Sequence, residues 1–90
     1  MAVTVSTHRK VIETIDRHWR TGAPFAIWEV RDASGVSTSS IVRCLRRLQD
    51  LRLVIHKDRV YADRHYRVAP RWTNAKDVLE NYQYAKMLGY

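Results

Sequence analysis

Hydrophobic positions recur at helical spacing near the start of the chain. Apolar residues at this spacing lie on one face of a helix, and here they are Val11, Ile12, Ile15 and Trp19. Ser6 or Thr7 can cap the predicted first helix. We expect the helix to end at Thr21-Gly22, because glycine tolerates the left-handed conformation that is common just beyond a helix.

The next segment predicts a second, short helix followed by a turn. Pro24 suits the first turn of a helix, where its missing N–H costs nothing, and apolar residues follow it at helical spacing. We therefore predict a helix over residues 24–32. The sequence "ASGV" after it is typical of a tight turn, in which Gly35 is free to adopt positive φ.

The sequence from Ser37 to Leu51 predicts a third helix with two different faces. At 100° per residue, its buried side carries Ile41, Cys44, Leu45, Leu48 and Leu51. The opposite side carries Ser39, Arg43, Arg46 and Asp50, and Arg47 lies on the flank. Ser37 or Thr38 is the expected cap.

The last third of the chain predicts a hairpin and a fourth helix. β-prone and alternating residues favour two strands near residues 53–57 and 64–69, joined by a polar loop. The fourth helix is predicted over residues 75–88, with Asn74 as its cap. Its apolar face carries Val78, Leu79, Tyr82 and Ala85.

Length and composition indicate one folded domain, residues 1–90. The chain is 46% hydrophobic and 10% aromatic, which is typical of a folded protein. Its single cysteine, Cys44, excludes an internal disulfide. No apolar run approaches the roughly 20 residues needed to cross a bilayer, and the N-terminus lacks the order of a secretory signal. We expect a cytoplasmic protein.

The net charge of +7 is concentrated in the middle of the chain. Residues 31–71 hold ten basic and four acidic residues, whereas residues 1–30 carry a net +1 and residues 72–90 are neutral. A local basic field of this kind suits a polyanion such as nucleic acid. The alternative is a solvated surface that happens to be basic.

One segment carries a resemblance to a known superfamily. "PFAIWEVRDASGVSTSSIVRCLRRLQDLRLV" has a short helix, a turn with glycine, a hydroxyl-capped helix and a Leu-Val strand start. It resembles the winged helix-turn-helix DNA-binding superfamily, and the later "YRVAP" is similar to the close of many of its wings. The resemblance covers about residues 8–70. It implies an α+β, mostly α fold with three helices, a two-stranded wing and a C-terminal helix over residues 74–88.

The chain departs from the family pattern at one position. The residue before Leu53-Val54 is usually glycine in the family, and here it is Arg52. If the backbone needs positive φ at this point, arginine carries a strain cost. If it does not, the junction between helix and strand differs from the usual one.

The third helix has the side chains needed to read DNA. A helix fits the major groove, and residues near its N-terminus reach base edges. Hydroxyls bond bases or phosphates, and arginine bridges O6 and N7 of guanine. We assign one set of residues to DNA contact: Ser37, Thr38, Ser39, Ser40 and Arg43 in the groove, and Arg46 and Arg47 on the backbone. The alternative is that Ser37 and Thr38 only cap the helix and the arginines are solvated.

The hairpin adds a second basic group, Lys57, Arg59 and Arg64, with His65 beside it. Such a loop can follow the DNA backbone or enter the minor groove, where arginine is favoured by the negative potential. Asp58 and Asp63 reduce the local positive charge. A solvated hairpin tip is the alternative for any one of these residues.

The C-terminal helix resembles the dimerisation helices of small bacterial, archaeal and phage regulators. We expect a homodimer, with Val78, Leu79, Tyr82 and Ala85 at its interface. One helix covers few base pairs, and a dimer on a palindrome would supply the missing specificity. The alternative is that the helix folds back over Trp19 or Trp28 within a monomer.

Other chemistry is less favoured by the sequence. Trp19, Trp28 and Trp72 are candidate stacking platforms for single strands, but Trp19 continues an apolar stripe and is better explained as core. A metal site at His56, His65, Asp58 and Asp63 lacks a zinc spacing pattern. Cys44 is expected to be an inert core thiol. The sequence contains no phosphate loop and no nucleophile motif. We therefore expect that the protein is not an enzyme and that it has neither a cofactor nor a small-molecule substrate.

The sequence therefore predicts a nucleoid-associated regulator of transcription that binds specific double-stranded DNA and represses by blocking polymerase. One alternative is a winged helix that docks an acidic protein partner through the third helix or the wing. Another is an accessory protein of phage or plasmid replication or recombination, which would use the same DNA surface.

Overall fold

The computed structural model describes residues 5–57 and 62–87, which form an α+β, mostly helical structure. Four helices and one antiparallel pair of strands follow in this order: α1 (Val5–Trp19), α2 (Ile27–Ser34), α3 (Thr38–Asp50), β1 (Val54–His56), β2 (Tyr66–Val68) and α4 (Ala75–Met87). This confirms the predicted class and order of elements. Within the described ranges, no helix is long and apolar enough to cross a membrane.

α1 is the centre of the helical packing, in contact with α2, α3 and α4. Its residues Val11, Ile12 and Ile15 are fully buried, as their spacing predicts. The helix begins at Val5, so Ser6 and Thr7 lie inside it and the prediction that one of them caps it was wrong. Past its end, Gly22 has a φ of 88° and donates its N–H to the Trp19 carbonyl at 3.0 Å.

The start of α2 differs from the prediction over residues 24–32. Phe25 is extended, and it exchanges two backbone hydrogen bonds with Tyr66, at 2.7 and 3.1 Å. Its side chain is fully buried. α2 therefore begins only at Ile27, and Pro24 precedes a strand-like bridge instead of starting the helix. At the other end, Gly35 adopts the left-handed conformation that was predicted, with a φ of 74°.

The two strands pair antiparallel in the register Val54↔Val68, Ile55↔Arg67 and His56↔Tyr66. They are shorter than the predicted 53–57 and 64–69, although the Lys57 N–H still bonds the His65 carbonyl at 2.7 Å. Because Phe25 bonds to Tyr66, the backbone of β2 is flanked on both sides. The hairpin is thereby tied to the start of α2.

α3 and α4 begin as their sequences predict. Ser37 is the residue before α3, and Asn74 caps α4 by accepting the Asp77 N–H at 2.9 Å. Leu88, the predicted last residue of α4, lies outside the described residues.

Candidate nucleic-acid interface

α3 has five exposed side chains: Thr38, Ser39, Arg43, Arg46 and Asp50. Ser39, Arg43 and Arg46 follow one another at spacings of four and three residues, which places them on one face of the helix. The opposite face, with Ile41, Cys44, Leu45 and Leu48, is buried. Among the described residues, neither Arg43 nor Arg46 makes an ion pair or a hydrogen bond, so their guanidinium groups are available to an anion.

The hydroxyls at the start of α3 divide into two groups. Ser40 is only 9% exposed, and its hydroxyl accepts a hydrogen bond of 3.0 Å from the Ser37 hydroxyl. The assignment of Ser40 to a DNA groove was therefore wrong, because its side chain points into the protein. Ser37 is exposed but makes no side-chain capping bond to the helix, and it lies 3.4 Å from the Ser39 hydroxyl.

Arg47 does not belong to the exposed arginine face. Its guanidinium carbon lies 5.3 Å from the centre of the Tyr82 ring, in a cation–π arrangement with α4. Its Nη1 atom is buried, without a hydrogen-bond partner in the part of the chain that the structure describes. The predicted contact of Arg47 with the DNA backbone is thus corrected to a contact between α3 and α4.

Tyr82 and Arg47, which join α4 to α3, also act on the thiol of Cys44. The thiol is fully buried, and burial raises its pKa to about 12, a rise that a hydrogen bond with Tyr82 and the charge of Arg47 oppose only in part. At neutral pH the group is therefore a protonated thiol, which is a poor nucleophile.

The apolar face of α4 is inside the molecule. Val78, Leu79 and Tyr82 are 1%, 9% and 0% exposed, and the Tyr82 hydroxyl is hydrogen-bonded to Nδ1 of the buried His8 in α1. The prediction that these residues form a dimer interface was wrong, because α1 and α3 already cover them. The side chain of Ala85, the fourth predicted interface residue, lies outside the described part of the chain.

The basic residues of the hairpin have different surroundings. Lys57 is exposed. Arg64 instead forms an ion pair with Glu29 of α2, with Nε–Oε1 and Nη2–Oε2 distances of 2.9 and 3.5 Å. Arg64, which the sequence predicted to contact DNA, is therefore engaged within the protein. Arg59, which was predicted to do the same, lies outside the described residues.

Glu29 is a residue whose importance the sequence analysis missed. Besides pairing with Arg64, its carboxylate accepts the Ala26 N–H at 2.9 Å and so caps the start of α2. A glutamate at the third position of a helix is a known capping signal. The signal was hidden because the helix was predicted to start at Pro24 instead of Ile27.

The exposed face of α3 and the hairpin are adjacent. Burial raises the pKa of Tyr66 in β2, and the positive charge of Arg46 partly opposes that rise. Thr38, at the start of α3, lines a cleft together with Asp63, His65 and Tyr66. The start of α3 and the hairpin therefore lie side by side. We call the exposed hydroxyl and arginine side chains of α3, together with the exposed Lys57 of the hairpin, the α3–hairpin face: Thr38, Ser39, Arg43, Arg46 and Lys57.

The two histidines of the hairpin stack on each other. Their rings are 5.4 Å apart and nearly parallel, at 5°, and His65 Nδ1 lies 3.0 Å from the Lys57 carbonyl oxygen. Across the described ranges, no group of three or more His, Cys, Asp or Glu side chains is placed to hold a metal ion.

The three tryptophans occupy different environments. Trp19 packs against the core, with its ring 5.0 Å from Phe25. Trp72 is buried and donates its indole N–H to Asp16 at 2.9 Å. Trp28 in α2 is 43% exposed, so it is the one of the three whose ring remains open to a ligand.

In comparisons with known proteins, no family model, curated protein or solved structure matches the chain. Function is therefore inferred from the residues themselves and from where the fold places them.

Proposed function

We propose that the protein is a winged helix-turn-helix regulator that binds double-stranded DNA. α3 would be the recognition helix, and the β1–β2 hairpin would be the wing. The observation that carries the proposal is the pair of exposed arginines, Arg43 and Arg46, which share one face with Thr38 and Ser39 and lack internal partners among the described residues. An exposed arginine without an internal partner can donate all of its N–H groups to guanine or phosphate.

The order of elements supports the same proposal. Helices α2 and α3 are joined by a short turn at Gly35, the kind of connection that helix-turn-helix proteins have. The hairpin follows α3 directly, and it lies beside Thr38 at the start of that helix. A duplex that accepts α3 in its major groove would then meet the hairpin at its backbone.

The position of each side chain along α3 suggests whether it contacts bases or phosphates. Arg43 and the hydroxyls of Thr38 and Ser39 lie in the first half of α3, which enters the groove most deeply. Arg46 lies one turn further along and suits a phosphate. Ser37 stays a candidate for phosphate contact because its side chain is exposed.

We propose repression by occupancy as the mode of action, in the cytoplasm. A homodimer remains part of the proposal, because one helix covers few base pairs. Its interface would exclude Val78, Leu79 and Tyr82, since these residues stabilise the fold of a single chain.

The test is selection of a binding site from random duplexes, followed by affinity measurements on that site. We expect Arg43→Ala to cost about 1–3 kcal/mol on the selected site and to flatten the preference at one base position. Arg17→Ala removes an exposed arginine from α1 and is the matched control, with little expected change. Equal losses for Arg43→Ala on selected and random DNA would refute base reading by Arg43.

A further inference from the structure

An open pocket of about 360 Å³ lies between α2, the start of α3 and the hairpin. Pockets that bind small ligands begin at roughly this size. Three rings line it, those of Trp28, His65 and Tyr66. Polar groups of Arg31, Thr38 and Asp63 lie among them. Thr38 belongs both to this lining and to the α3–hairpin face, so the pocket opens beside the surface proposed to hold DNA.

Trp28 is the least explained side chain of the pocket. With the residues that the structure describes, its indole makes neither a ring contact nor a hydrogen bond, although 43% of the residue is exposed. A large aromatic ring left in water forgoes the burial that usually stabilises it. Its placement is understandable if a ligand covers it.

Another lining residue, Tyr66, is held firmly. Its ring stacks on Phe25 at 5.9 Å, and Phe25 in turn contacts Trp19 at 5.0 Å. The Tyr66 backbone is also bonded to Phe25. The pocket lining therefore includes one aromatic residue that is held in place, Tyr66, and one that is exposed, Trp28.

The lining specifies the chemistry of the occupant. Aromatic rings favour a flat, aromatic group, and Asp63, Thr38 and His65 can hydrogen-bond a polar edge. Among the described residues, Arg31 is paired only with its exposed neighbour Asp32, at 3.4 Å, so it can still turn to a phosphate. With the basic α3–hairpin face alongside, the group that meets all three conditions is a nucleobase attached to a nucleic-acid strand.

We propose that the Trp28 pocket receives one unpaired base of the DNA bound on the α3–hairpin face. A base inside a duplex is stacked on both faces and paired along its edge, so it cannot enter the pocket. The preferred DNA would therefore carry unpaired nucleotides at the end of a duplex. This inference rests on the proposed function, because it places the duplex on α3.

The test compares three labelled DNAs that share one short duplex. The first is blunt, the second has a single-stranded overhang of about five thymidines, and the third has an abasic overhang with the same phosphates. We expect the wild-type protein to bind the thymidine overhang about tenfold more tightly than the other two, the size expected for one base stacked on an aromatic ring.

Variants assign the effect to the pocket. Trp28→Ala should remove the preference for the thymidine overhang and leave affinity for the blunt duplex unchanged, while Trp28→Phe should keep part of the preference. Tyr84→Ala is the matched control, because Tyr84 is an exposed aromatic residue on α4, 63% exposed. Thermal melts would check that every variant is folded.

The outcomes separate the two proposals. Equal binding of all three DNAs by the wild type, or an undiminished preference in Trp28→Ala, would overturn the pocket proposal alone. Binding of overhang and oligothymidylate but not of blunt duplex, lost in Trp28→Ala, would support the pocket and overturn duplex binding. Binding to none of the DNAs would overturn both.

Discussion

Arg52 adopts the left-handed conformation directly after α3, with a φ of 61°. Its N–H bonds the Gln49 carbonyl at 2.9 Å, and the Leu53 N–H bonds the Leu48 carbonyl at 2.8 Å. These two bonds close the helix end in the arrangement that usually has glycine at the left-handed position. The junction therefore keeps its geometry with an arginine in place, and the backbone of Arg52 is strained.

We predict that Arg52→Gly stabilises the protein. Relief of the left-handed strain, less the extra entropy of glycine in the unfolded chain, should raise the free energy of unfolding by about 1 kcal/mol. Urea denaturation would measure it. Arg52→Ala is the control, since it removes the charge and keeps the strain, and a gain of the same size in that variant would contradict the explanation.

The burial of the residues on the flank of α3 could not be predicted from the sequence. The helical projection separated Ile41 and Leu45 from Arg43 and Arg46 correctly, because those residues lie near the middle of each face. Ser40 and Arg47 lie between the faces. Their burial depends on which elements pack alongside, and α4 covers Arg47 only because Tyr82 is directed at it.

At the scale of elements, α4 is part of the core. The ring of Tyr82 is fully buried, and its hydroxyl is bonded to His8. The hydrophobic spacing of α4 correctly predicted an apolar face, but spacing does not say whether the same chain or another covers that face. Here α1 and α3 cover it, and the helix completes the domain.

We predict that Tyr82→Ala lowers the free energy of unfolding by about 3–5 kcal/mol, the usual cost of removing a buried aromatic ring. Tyr82→Phe should cost about 1–2 kcal/mol, because it keeps the ring and removes only the hydroxyl bond. Denaturation at two protein concentrations checks the origin of the loss. A loss that changes with concentration would instead indicate a dimer interface.

The bridge between Phe25 and Tyr66 was the element that the sequence analysis missed. A single bridged residue leaves no alternating pattern, and Pro24 beside it favoured a helix start. The bridge moves the start of α2 and so brings Glu29 to the capping position, opposite Arg64. Pairing of these residues, which are 35 positions apart, is a property of the tertiary fold and has no local signal.

We predict that Glu29→Gln strengthens DNA binding several-fold. Glutamine can still cap α2, but it no longer neutralises Arg64, so one more cation faces the DNA phosphates. Fluorescence anisotropy on a random duplex would measure the change. Glu13→Gln, which removes an acid paired with Arg9 on α1, is the control, and equal affinities of the two variants would contradict the prediction.

At the scale of the whole molecule, the basic excess of residues 31–71 is divided by the fold. Arg64 and Arg47 are turned to partners within the protein, whereas Arg43, Arg46 and Lys57 remain on the α3–hairpin face. Charge counting along the sequence located the basic region but could not separate these two groups. Long-range attraction to a polyanion depends on the residues left on the surface.

DNA binding by the α3–hairpin face is tested most directly by the salt dependence of binding to a random-sequence duplex, measured by fluorescence anisotropy. We predict binding near 50 mM salt, with log K falling against log salt by about 0.9 per phosphate contacted. The double variant Arg43→Ala/Arg46→Ala should flatten this slope by about two units, and the control Arg9→Ala/Arg17→Ala on α1 should leave it nearly unchanged. Absence of binding near 50 mM salt, or equal flattening in both double variants, would contradict the assignment of the α3–hairpin face to DNA.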